Sequence, residues 1–105
     1  MKTEPDDVFR SLANAFLLDH PQVSHEWRTV KSRLSADRVD LVCAPGDANE
    51  VYASLLGGQI AVGDRVDHTD FADYGHGLSA EEIARDAFND LVELLRRHGH
   101  LAPAT

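Results

Sequence analysis

The chain has 105 residues, a formal charge of −8 from ten Lys and Arg against eighteen Asp and Glu, 43% apolar residues and 27% charged ones. That length suits one domain over residues 1–105, burying roughly 60 to 65% of the surface its unfolded form would expose. An acidic chain of this charge lacks the cationic surface from which nucleic-acid binders and anionic-membrane binders draw affinity, so neither partner is expected.

The start, Met1-Lys2-Thr3-Glu4-Pro5-Asp6-Asp7, has neither the basic and apolar regions of a signal peptide nor the Arg-rich bias of a transit peptide. No apolar run approaches the twenty or so residues that a spanning helix needs. Thr3, Pro5 and Asp6 offer a capping hydroxyl, a first-turn proline and a carboxylate at the positive helix end. Val8, Phe9, Leu12, Ala13, Phe16 and Leu17 then share one face until Pro21. A helix is expected over about 4–19.

The segment 25–34 carries two patterns. Val23, Trp27, Val30 and Leu34 have helical spacing, while Thr29-Val30 and the short Ser35-Ala36-Asp37 break favour a hairpin. We read it as strand. Arg38 to Ala44 alternates Val39, Leu41 and Cys43 with Asp40 and Val42 before the Pro45-Gly46-Asp47 turn, which makes a second strand. Cys43, the only cysteine, reads as a buried strand residue and permits no intrachain disulfide, which fits a reducing cytoplasm.

Glu50 to Leu56, Gly57-Gly58 and Gln59 to Val62 read as a hairpin, since paired glycines reach the positive φ values of tight turns. Asp47 and Glu50 also have capping-box spacing, but β-branched Val51 beside Tyr52 favours a pleated surface over a short helix. The last helix, about 80–98, is specified by the Ser79/Glu82 capping box and the Leu78/Ile83 staple. Its stripe runs through Ile83, Ala84, Ala87, Phe88, Leu91, Val92, Leu94 and Leu95, followed by Arg96, Arg97, His98 and a Gly99 cap. The expected architecture is α+β: a two-layer sandwich with an N-terminal helix, an antiparallel meander of about four strands and a C-terminal helix, both helices on one sheet face.

Charge is unevenly placed. Residues 1–24 sum to −2, 25–39 to +2, 40–90 to −9 and 91–105 to +1. Asp64, Asp67, Asp70 and Asp73 fall in ten residues with Arg65 the only base, and such a stretch is either a solvated loop or a surface for a cation or a basic partner. Arg28, Lys31, Arg33 and Arg38 form a basic band on the first hairpin, read as pairing with acids across the strands. Trp27, Tyr52, Phe71 and Tyr74 lie off the helical faces, either as core rings or as interface anchors.

His68, Asp70, Asp73 and His76 are ligand types that Zn or a similar ion accepts. Their spacing matches neither His-Glu-x-x-His nor a calcium loop, so no metal or other cofactor is expected. A His68 pairing with Asp70 or Asp73 for acid/base catalysis is the enzyme alternative, but no nucleophile elbow, phosphate loop, dinucleotide fingerprint or Cys-x-x-Cys accompanies it, and no catalytic residue is assigned.

The run Gly58-Gln-Ile-Ala-Val-Gly-Asp64, then His68-Thr-Asp-Phe-x-Asp-Tyr-Gly75, resembles a segment of small, uncharacterised bacterial α+β domains, some of them immunity proteins of toxin systems. The resemblance spans Gly58 to Gly75 alone and implies a small acidic cytoplasmic protein that blocks a basic surface on another protein. Its contact residues would be Asp64, Asp67, His68, Asp70, Asp73 and Tyr74. The leading expectation is therefore a non-enzymatic, inhibitor-like or accessory protein-binding domain. The alternatives are the metal or acid/base site, and a homodimer through an apolar outer sheet face that includes Trp27, Val42 and Tyr52.

Overall fold

The structure is a computed structural model and describes residues 4–31, 33, 37–66 and 79–101. The elements run α1 (Pro5–Asp19), β1 (His25–Val30), β2 (Arg38–Cys43), β3 (Val51–Leu56), β4 (Gln59–Asp64) and α2 (Ala80–Arg97), which makes the fold α+β. The strands form one antiparallel sheet in the order β1-β2-β3-β4. Both ambiguous segments, 25–34 and 47–56, contain strand, with β1 ending at Val30, short of the expected Leu34.

Alternation assigns the two sheet faces. Trp27, Leu41, Ala53 and Val62 lie in one cross-strand row, and Thr29, Val39, Leu55 and Ile60 in the next; these rows point to the helices. The core joins Leu41, Cys43, Val51, Leu55, Ile60 and Val62 to Phe9, Ala13 and Leu17 of α1 and to Ala84, Ala87, Leu91 and Leu95 of α2. Phe88 of α2 meets Phe9 and Phe16 of α1 edge-on, with centroids 6.5 and 5.5 Å apart, an aromatic seam between the helices.

α2 ends as its sequence demands. Ser79 and Glu82 form the reciprocal capping box, and at the other end the His100 N–H donates to Leu95 and the Gly99 N–H to Arg96, with Gly99 at φ +80°. α1 differs from expectation. Its N-cap is Glu4, with no side-chain bond to the helix, while Thr3, the expected capping hydroxyl, and Leu78, half of the expected staple, lie outside the described residues.

The helices pack against each other and mainly over β3 and β4. β1 therefore projects beyond the helical layer, and all its residues but Trp27 are exposed. Trp27 is half-buried against the edge of the core, with the Arg10 guanidinium 5.1 Å from its ring.

Candidate functional site

Of the expected partner-binding residues, the described part of the chain contains Asp64 alone. Asp67, His68, Asp70, Asp73 and Tyr74 lie outside it, as do His76 of the metal alternative and Phe71. Asp64 closes β4 on the helix side of the sheet. Its Oδ1 accepts the Val66 N–H at 2.9 Å, its Oδ2 accepts from His98 Nε2 at 2.8 Å, and its side chain is 9% exposed. The carboxylate that opens the acidic run is thus held inside the protein by an imidazole from the end of α2. Val66, two residues on, is 93% exposed. Among the described residues, no group of three or more His, Cys, Asp or Glu is placed to hold a metal ion.

His98 and His100 are the residues that sequence reasoning undervalued. That reasoning casts His98 only as a complement to the negative end of α2 and assigns His100 no role, yet both are ties between layers: His98 to Asp64, and His100 Nε2 to the Asn49 carbonyl at 2.7 Å in the β2–β3 turn. Their spacing two apart around the last helical turn was the available signal.

Three members of the basic band, Arg28, Lys31 and Arg38, pair locally, two of them along their own strands. Arg28 holds Glu26, Arg38 grips Asp40 through Nε and Nη2 at 3.0 and 3.2 Å, and Lys31 reaches Asp37 at 2.8 Å across the first hairpin. The expected cross-strand pairing of Arg28, whose opposite residue is Asp40, is displaced because Arg38 sits two residues from that carboxylate on the same strand face. On the same outer face, burial pushes the Tyr52 phenol above its usual range, with Asp64 and Asp40 adding to the effect.

The expected apolar outer face does not form as proposed. Trp27 points to the helices, whereas Val42 and Tyr52 occupy the opposite face, and Val42 is already 4% exposed within the subunit. An odd-numbered and two even-numbered positions fall on different faces once the register is fixed.

Two surface features remain. A groove of about 590 Å³ runs between the end of α1 and the start of β1, lined by Leu17, Leu18, Pro21, Val23, Ser24 and His25. Leu18 is 82% exposed on its rim, because only one of two adjacent leucines can face the core. The second feature is the outer edge of β1. The Ala44 N–H donates to the Ser24 carbonyl at 2.7 Å, so residues 24, 26, 28 and 30 make the ladder to β2. The closing Leu56/Gln59 pair of the β3–β4 turn carries the same alternation through the sheet. The peptide groups of His25, Trp27 and Thr29 consequently point away from β2, and no described residue pairs with them. At the opposite sheet edge Val62 of β4 is already engaged.

Comparison with protein families, with characterised proteins and with solved structures finds no match to this chain.

Proposed function

We propose that the protein is a small acidic, non-enzymatic binding domain of the bacterial cytoplasm, inhibitor-like or accessory, that engages a basic surface on another protein through the acidic run Asp67, Asp70 and Asp73. The single observation behind this reading is where five of the nine described Lys and Arg side chains go. Arg28, Lys31 and Arg38 each hold a carboxylate of their own hairpin, and Arg85 and Arg97 hold Glu81 and Glu93 one turn away on α2. These bases are spent locally, while the 40–90 segment carries −9. Asp64 contributes as an anchor, fixed by His98 at the point where the run leaves β4. An acidic patch facing a basic one steers encounter and fixes orientation more than it adds affinity.

The experiment is calorimetric titration against a basic candidate partner encoded beside this chain, at about 50 and about 300 mM salt, where screening lengths differ about twofold. The expected result is binding that weakens at least about tenfold with added salt and with Asp70→Asn plus Asp73→Asn. No binding, or binding indifferent to both salt and these substitutions, removes the reading.

A further inference from the structure

We infer that β1 pairs with β1 of a second copy of this chain, antiparallel about a two-fold axis through Trp27, to give one continuous sheet across a dimer. An unpaired strand edge is a template for another strand, and proteins commonly block it with charge. Here the charges of β1 are one acid and one base, two residues apart on the face away from the helices: Glu26 and Arg28. Such a pair repels a second copy in some registers and attracts it in one.

Parity limits the registers. Both copies present the peptide groups of 25, 27 and 29, so ladder bonds form only when odd residues face odd residues. Three registers keep the strands well overlapped. Setting His25 against Trp27 puts Glu26 opposite Glu26 of the other copy. Setting Trp27 against Thr29 puts Arg28 opposite Arg28. Like charges directly opposite destabilise a strand pair.

The third register sets Trp27 against Trp27. It places Glu26 of each copy opposite Arg28 of the other, twice, so that the two local ion pairs merge into an alternating cluster of four charges. It also uses the whole free row, with His25 facing Thr29 on both sides of the axis and about six backbone hydrogen bonds gained. On the helix side the two half-buried Trp27 rings become cross-strand neighbours, each beside its own Arg10. The interface is isologous, as a two-fold requires. A contact of one six-residue strand is small, so association is expected near about 100 µM, far from nanomolar affinity.

Sedimentation equilibrium of the full chain from about 10 µM to about 1 mM tests this. The wild type should pass from monomer to dimer across that range. Thr29→Pro should stay monomeric and folded, since it removes an N–H of the open row and none of the β1–β2 ladder. Glu26→Arg and Arg28→Glu should each weaken association at least about tenfold, and the double swap should restore it. An equimolar mixture of the two single variants should associate, because two bases on one copy then face two acids on the other. That arm stands without comparison to the wild type. A wild type monomeric at about 1 mM, or a dimer unmoved by Thr29→Pro and by both charge reversals, overturns the inference. Asp70→Asn changes no residue of β1 (His25–Val30) and should leave the dimer unchanged, so this result and the basic-partner result are independent.

Discussion

Asp6 illustrates how one carboxylate is pulled in two directions. It lies in the first turn of α1, where the positive helix end favours an anion, and its Oδ1 accepts the Gly58 N–H at 3.2 Å from the β3–β4 turn. Burial pushes its carboxyl above the usual range, helped by Glu4 and Asp7 and opposed by the Gly58 bond and Arg10. A raised native pKa means that the folded chain holds this proton more tightly than the unfolded one. The charge therefore costs stability, and the cost appears as pH rises from the ordinary carboxylate range through the higher native value. Asp6→Asn keeps an acceptor for Gly58 and carries no charge. Urea unfolding should favour it over the wild type by more at pH 7 than at pH 3, and an equal difference at the two pH values would contradict this account. Cys43 shows the same physics for a thiol: fully buried, its pKa is pushed up to about 12, so the residue belongs to the core chemically as well as sterically.

Among the elements, the β3–β4 hairpin and α2 were legible because their signals are short-range. Gly57 and Gly58 take φ values of +55° and +91°, the paired left-handed geometry that matches the strand twist. A Cβ on Gly58 would lie 3.2 Å from Glu4 Oε2, in addition to the backbone strain. Gly58→Ala should cost about 1 to 2 kcal/mol in urea unfolding, while Gly57→Asn, with open space around it, should stay within about 0.5 kcal/mol of the wild type. Similar losses at both positions would place the cost in the turn type alone. β1 was harder to read, because Val23, Trp27 and Val30 fit a helical face as well as a strand. What settles it is the β2 partner, and the ladder from His25 to Val30 involves residues eight to eighteen positions away. The same distance hid the faces of Trp27 and Val42, which a one-residue change of parity separates.

For the whole molecule, the decisive feature is that the two helices do not cover the four strands evenly. α1 and α2 lie over β3 and β4, and the C-terminal end of α2 is tied to the sheet by His98 on Asp64 and His100 on Asn49. His98→Ala withdraws a donor from a carboxylate that is largely out of solvent, and should lower stability by about 1 to 3 kcal/mol; His98→Gln, which can still donate, should recover part of it. Urea unfolding of both variants checks this, and an unchanged midpoint for His98→Ala would mean that the tie carries no net energy. Off-centre helices leave β1 exposed and Leu18 on the rim of a groove, features that no local pattern announces.

The residues by themselves determined the class of fold, the caps and stripe of α2, the glycine turn and the uneven distribution of acid, because each depends on neighbours within a few positions or on simple counting. Tertiary structure alone decided that Asp64 faces His98, that Arg28 and Arg38 are held by acids of their own strands, and that the peptide groups of His25, Trp27 and Thr29 look outward. Those outcomes depend on strand register and on where a helix ends above the sheet, and both are fixed by packing between segments far apart in the chain.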